Sequence, residues 1–301
     1  FKHAAEIDEL VRSIGAPGQD LSKGIVLGHE YVGEIVAFGP ETQQSLKVGD
    51  RVVSVPFLMR DGAPVPIGAN VEVDGAYAEY FLGSEALLLK IPDDVPDAAA
   101  ALVEPLGIAV HAVAKSFLNG DSHPCVILGC GPIGLAIAAV LKIRGVETII
   151  ASDFSPKRRA LAQAMGATQA VHPKEASPFS LLAPTAPAIV FDCTGVRGVL
   201  SQAIVEAPVG SQIVVAGIPQ GEDSFNPMIA IAKELNLQFV LYYAPEEFAE
   251  ALQAIAQGQL DWRPLVTGTV GLEGIEEAFS ALGDPETHAK IMIDPWSDAR
   301  L

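Results

Sequence analysis

Gly129-Cys130-Gly131-Pro132-Ile133-Gly134 is a GxGxxG run between an apolar stretch at 126–128 and an Ala/Ile/Leu-rich stretch at 132–144. A strand, a tight turn and a helix in that order are what such a run needs in order to bind a dinucleotide. Gly129 permits the turn, Gly131 lets the backbone approach a pyrophosphate, and Gly134 lets the helix pack on the strand. The helix N-terminus offers free N–H groups and partial positive charge to phosphates. Pro132 fits its first turn, where a missing N–H costs little. Asp153 ends the next apolar run, nineteen residues after Gly134. A carboxylate there accepts ribose hydroxyls and repels a 2′-phosphate, which predicts NAD rather than NADP. Lys157, Arg158 and Arg159 follow; they could meet a phosphate or form a solvated first helical turn, and Arg158 is kept as a cofactor candidate. Gly28-His29-Glu30 and Glu104-Pro105-Leu106, the latter ahead of His111, supply the other reactive groups. A lone imidazole or carboxylate is more often structural, so neither motif stands by itself.

The elements that must position these groups come in two textures. Residues 32–38, 51–55, 76–82 and 87–91 read as short strands, separated by Gly39-Pro40 and Gly49-Asp50 turns. Residues 59–74, rich in Gly and Pro, read as a loop. Beyond Pro92 the stretch 97–116 is helix-prone, with Pro105 marking a kink or a fresh start. From Cys125 strands are expected at 126–128, 148–152, 188–191, 212–215 and 237–241. Helices are expected at 132–144, 156–165, 199–206 and 245–257. Alternation of this kind implies a parallel, doubly wound sheet, so the fold class is α/β.

Length and composition narrow the function. With 301 residues, 50% hydrophobic and 19% charged, the chain can bury two cores and is no disordered polymer. Its 19 basic and 37 acidic residues leave a net charge of −18, which disfavours nucleic-acid and anionic-membrane partners. The uncharged run 125–141 is interrupted by glycines and reads as strand, turn and helix rather than a membrane span. No secretory signal is expected. Cys125, Cys130 and Cys193 are an odd, scattered set, read as reduced thiols in a cytoplasmic protein.

Taken together the motifs resemble the zinc-type medium-chain alcohol dehydrogenases, closest to the polyol (sorbitol) and butanediol dehydrogenase group. The resemblance rests on the motifs above and on Gly49-Asp50-Arg51-Val52. It continues through Lys233-Glu234-Leu235, 243–248, Pro264-Leu265-Val266-Thr267 and His288-Ala289-Lys290. It implies a GroES-like β-barrel catalytic domain at 1–105, an NAD-binding Rossmann domain at 106–243 and a C-terminal return at 244–301. By carry-over, His29, Glu30 and Glu104 form the catalytic zinc site, with Glu30 as ligand or neighbour to the ligands. Neutral imidazole and carboxylate suit zinc, and a catalytic site leaves one position open. Cys193, Thr194, Ala216, Gly217 and Ile218, at strand ends, are implied to approach the cofactor together with Ile133. Tyr242 and Tyr243 are placed near the nicotinamide pocket or in aromatic core, and Phe57, Leu58 and Met59 in an apolar wall or barrel core.

The family's first zinc ligand is a cysteine upstream of GHE, and none precedes His29. Because the chain starts at Phe1, the expectation is that the segment bearing that cysteine lies outside these residues. No structural zinc is expected, since 59–74 has no cysteine. The implied reaction is hydride transfer between NAD(H) and a secondary alcohol, polyol or ketone. The alternatives are a zinc-free quinone or enone reductase and a non-catalytic cofactor-binding protein. The uncharged run 235–241 is expected at a sheet edge, where an apolar strand invites pairing, so a homodimer or a tetramer of dimers is predicted.

Overall fold

The computed structural model describes residues 12, 20, 22–118, 123–183, 186–219 and 221–301. Its N-terminal part is built from short strands: β1 (Gly33–Glu34), β2 (Arg51–Ser54), β3 (Phe57–Arg60), β4 (Ala63–Pro66) and β5 (Leu88–Lys90). Strand β2 is the centre of an antiparallel β1-β2-β5 sheet and buries Val52 and Val53. Beside them Arg51 donates to the carbonyls of Pro92, Asp93 and Val95 and pairs with Asp97 at 2.5 Å. That guanidinium ties the Gly49-Asp50-Arg51-Val52 turn to the start of the helical region.

Three expectations for this part are corrected. The stretch 59–74 is not wholly loop, because β3 and β4 pair as a hairpin with Phe57 opposite Pro66 and Arg60 opposite Ala63. Its turn is Asp61-Gly62, both with positive φ (51° and 79°), the conformation a two-residue hairpin favours. Pro64 and Pro66 hid it, since proline demotes a strand reading except on an edge. The stretch 76–82 forms no strand. Instead the N–H groups of Gly75, Ala76 and Tyr77 donate to the carbonyls of Val26, Gly28 and Leu27 at 2.8, 2.9 and 2.8 Å, fastening the loop before His29. The stretch 32–38 keeps only β1 as ladder.

Helices α1 (Asp97–Ala100) and α2 (Val103–Ala114) follow, with Pro105 in the first turn of α2, where proline is tolerated. The alternating region then unfolds as expected, with two additions. Strand β6 (Cys125–Leu128) leads to α3 (Pro132–Ile143), β7 (Ile149–Ser152) to α4 (Pro156–Met165), and β8 (Gln169–Val171) precedes β9 (Ile189–Asp192). Next come α5 (Val199–Glu206), β10 (Gln212–Val215), α6 (Pro227–Ala232), β11 (Asn236–Phe239) and α7 (Pro245–Ala256). Neither β8 nor α6 was expected; both are too short for periodicity to show. The six strands make one all-parallel sheet, β11-β10-β9-β6-β7-β8. Strand β12 (Val266–Val270), helix α8 (Ile275–Ala281) and strand β13 (Lys290–Ile293) close the chain, β12 and β13 pairing in parallel.

Side-chain alternation divides the core between the two faces of the sheet. Cys125, Ile127, Ile149, Ala151, Ile189, Phe191 and Val214 join the large cluster that includes α2, α3 and α7. Val126, Leu128, Ile150, Val190, Ile213 and Val215 face α5 on the other side. Strands buried on both faces read as unbroken apolar runs, which is why they were legible. Each fully buried Phe or Ile here contributes roughly 1.5–3 kcal/mol. Helix α2 packs on both α3 and α7, so the helix that carries Glu104 belongs to the same core cluster as one face of the six-stranded sheet.

Candidate functional site

His29, Glu30 and Glu104 converge: one potential ligand atom from each lies within 4.8 Å of the others. His29 and Glu30 are neighbours in the chain, and Glu104 comes from a distant part of it. Gly28 turns the loop with φ +96°, and a Cβ there would sit 2.6 Å from the Tyr77 ring, so only glycine lets the loop reach this position. His29 is exposed and Glu30 half-buried, while Glu104 is buried in the first turn of α2. Lys290, from β13, pairs with the Glu30 carboxylate. The Tyr243 hydroxyl donates to Glu104 Oε1 at 3.0 Å. Burial, and next the charge of Glu30, raise the Glu104 pKa to about 7; Tyr243 and Lys290 pull it down without cancelling the rise. Two carboxylates and an imidazole facing one point are a donor set that a divalent cation satisfies, because it supplies the charge that desolvation and repulsion otherwise leave uncompensated.

The second site lies at the C-terminal ends of the parallel strands, where the order reverses between β6 and β9. Gly129 adopts φ +88° and its N–H donates to Ser152 O. Gly131 caps α3, with open space where a Cβ would stand, as close approach of a ligand requires. A Cβ on Gly134 would lie 2.0 Å from Gly129 O, so the turn and helix touch through bare backbone. Pro132 is the first residue of α3. Asp153, just past β7, accepts from Cys130 N–H through one oxygen and from Ser155 N–H through the other, each at 2.8 Å. Those bonds hold the carboxylate beside the glycine turn. Ile133, Cys193, Thr194, Ala216, Gly217 and Ile218 line one cleft there, joined by Gly195, Val196 and Arg197.

Other residues singled out from the sequence divide. Arg159 donates to the carbonyls of Asp153 and Phe154, and Lys157 to Thr287 O, so both hold the chain itself. Arg158 gives its backbone N–H to the Ser155 cap, and its side chain is half-buried in the first turn of α4. Phe57 packs on the large core and its ring meets Tyr242 edge-on at 5.5 Å, whereas Leu58 joins a smaller cluster with Ile67 and Met59 is exposed. Arg197, which donates to Glu222 O, was missed, although it adjoins the Thr194-Gly195 turn. The bond from Tyr243 to Glu104 was missed as well, and nothing in either local sequence signals it.

A doubly wound parallel sheet with a glycine turn at its switch point, joined to an antiparallel unit bearing metal-type donors, is the build of a medium-chain dehydrogenase. Known proteins agree. Residues 5–93 match the alcohol dehydrogenase GroES-like domain and residues 132–257 match the zinc-binding dehydrogenase family. The (R,R)-butanediol dehydrogenase of Bacillus subtilis (strain 168) is 31% identical over 283 residues, 90% of this chain and 81% of that protein. Sorbitol dehydrogenase of the same organism is 29% identical, covering 95% of this chain and 89% of its own. The crystal structure of 2R,3R-butanediol dehydrogenase from Bacillus subtilis superposes with a TM-score of 0.81 at 30% identity, over 95% of this chain and 88% of that one. The chain belongs to the family of zinc-binding, GroES-like alcohol dehydrogenases. It is an oxidoreductase of the alcohol and polyol dehydrogenase type.

Proposed function

We propose that this dehydrogenase uses zinc and NAD to interconvert a secondary alcohol or polyol with its ketone, with His29 and Glu104 as metal ligands and Glu30 in or beside the coordination shell. The convergence of these three side chains within 4.8 Å carries the reading. When bound, the cation supplies Lewis acidity to an alcohol oxygen and the nicotinamide supplies the hydride acceptor. The chain's own residues do the rest. Tyr243 and Lys290 hold the two carboxylates in place. Gly131 and the start of α3 present backbone N–H groups to the pyrophosphate. Asp153 is fixed where it accepts ribose hydroxyls and disfavours a 2′-phosphate. The strand-end residues from Cys193 to Ile218 form the wall of the cofactor cleft. In this reading 1–105 is the catalytic domain, 106–243 the NAD-binding domain and 244–301 the return segment. Cys125, Cys130 and Cys193 are free thiols, in keeping with a cytoplasmic enzyme.

The test is metal content together with activity. Purified protein should carry zinc and oxidise small vicinal diols or polyols with NAD, and a chelator should abolish the oxidation. Turnover that survives complete metal removal would instead support the zinc-free reductase reading.

The assembly proposed is a homodimer, or a tetramer of such dimers. Strand β11 lies at the sheet edge, and helix α6 beside it in the chain buries none of its residues. Met228, Ile231, Phe239 and Leu241 are each more than half exposed. A second copy placed edge to edge covers the same apolar patch on both chains with one two-fold axis. Sedimentation at micromolar concentration should show no monomer, and a clean monomer would refute it.

A further inference from the structure

Helix α2 is tied at two points to the chain entering α7, once through Tyr243 just before that helix and once through Glu247 in its first turn. At one, the Tyr243 hydroxyl donates to Glu104 Oε1 at 3.0 Å; at the other, His111 Nδ1 lies 2.8 Å from Glu247 Oε2. Glu104 and His111 are two turns apart on α2 and so share a face. Glu247 also accepts from Ala244 N–H, which fixes the backbone just after Tyr243. The Tyr243 ring is held from both sides. It stacks on Phe248 (5.5 Å between centroids, 22° between planes), and it lies so close to Gly107 that a Cβ there would be 3.2 Å from it. Tyr242 has φ +61°, a costly conformation for a tyrosine, and its ring points to Phe57 while its neighbour's points to Glu104.

We propose that Tyr243 is a positioning residue for the metal site: its hydroxyl fixes the orientation of the Glu104 carboxylate, while the His111–Glu247 contact sets where Tyr243 stands. The inference rests on Glu104 being a ligand. With its Oε1 hydrogen-bonded, the Glu104 carboxylate is held in one orientation, so a cation there would meet a donor that is already positioned.

Cobalt-substituted enzyme tests it through visible absorption and the rate of metal loss to a chelator. Tyr243→Phe keeps the ring, its stacking and its contact with Gly107. It should lose cobalt roughly 10–100-fold more readily and alter the absorption bands, the effect usual for removing a hydrogen bond to a ligand. His111→Leu should shift both readouts the same way by less, whereas His111→Gln, still a donor to Glu247, should restore wild-type behaviour. Should Tyr243→Phe fold poorly, Gly107→Ala displaces the ring instead and should reproduce the change. Wild-type spectrum and release rate in Tyr243→Phe, with Glu104→Ala altering both, overturn the positioning role alone. If Glu104→Ala also changes nothing, the ligand reading itself is wrong.

Discussion

The cofactor sheet and the proposed metal site are held together in opposite ways. In the sheet, β6, β7, β9 and β10 are buried along their whole length and each pairs with neighbours in parallel register. Asp153 is satisfied from residues close in sequence: Cys130, 23 positions away, and Ser155, only two. The metal-type cluster is assembled across the chain. Glu104 meets Tyr243 over 139 positions and Glu30 meets Lys290 over 260. The sheet's inner strands are complete in their own contacts, whereas the cluster keeps a buried carboxylate whose pKa is pushed up to about 7. Stability sits in the first region and unsatisfied charge in the second, which is where a cation can do chemistry.

The largest expected effect attacks the rigid region. Gly134→Val places side-chain atoms where even a Cβ would lie 2.0 Å from Gly129 O. Urea unfolding should show a loss of more than about 4 kcal/mol, with cofactor binding abolished. A near-normal unfolding midpoint would mean that the glycine turn yields and the contrast fails. By the same logic Gly131→Ala, with nothing within 4 Å of the new carbon, should leave stability intact and weaken only the cofactor.

Next in size is the pH dependence of the metal-free protein. Glu104 is an acid whose folded pKa, about 7, exceeds its ordinary value of 4.5. Between those values the folded state binds more protons than the unfolded one, so stability falls as pH rises. The loss is fully developed only above pH 7 and amounts to on the order of 3 kcal/mol. Melting temperatures from pH 4.5 to 8 should therefore decline for the metal-free wild type, and Glu104→Gln should remove that part of the slope. Parallel curves for the two proteins would show that Glu104 titrates normally.

Asp153→Gly removes the carboxylate proposed to face the ribose and should move the ratio of kcat/KM for NAD over NADP at least about tenfold toward NADP, or about 1.4 kcal/mol. An unchanged ratio would take nucleotide choice away from Asp153. The smallest change belongs to a residue remote from both sites. Lys233 Nζ donates to the carbonyls of Ile204, Val205 and Ala207, where α5 ends and a cation is favoured. Lys233→Met should cost about 1 kcal/mol in urea unfolding while leaving metal and cofactor affinity alone.

The same contrast explains what the sequence disclosed. The parallel strands were readable because two buried faces demand unbroken apolar runs, and the glycine turn because its spacing carries its own geometry. Glu30, His29 and Glu104 could be named only through resemblance, since no local pattern brings positions 29 and 104 together. The contacts of Tyr243 and His111 escaped because their partners, Glu104 and Glu247, are chosen by the packing of α2 on α7. The β3–β4 hairpin was hidden by prolines, although Asp61-Gly62 is a strong two-residue turn. The segment after Gly75 has strand-like composition but gives its N–H groups to the loop at 26–28, a long-range choice.

The ion pair between Glu30 and Lys290 also bears on how the molecule is made. A ribosome releases the His29 loop early and must then add some 260 residues before the lysine that pairs with Glu30 exists. At ordinary elongation rates of about 5–20 residues per second, that interval lasts roughly 10–50 s. Late in that interval, once β11 has been made, the six-stranded sheet can fold while Glu30 still waits for its lysine. A nascent chain halted before β13 should thus display a formed six-stranded sheet and a Glu30 still without its ion-pair partner.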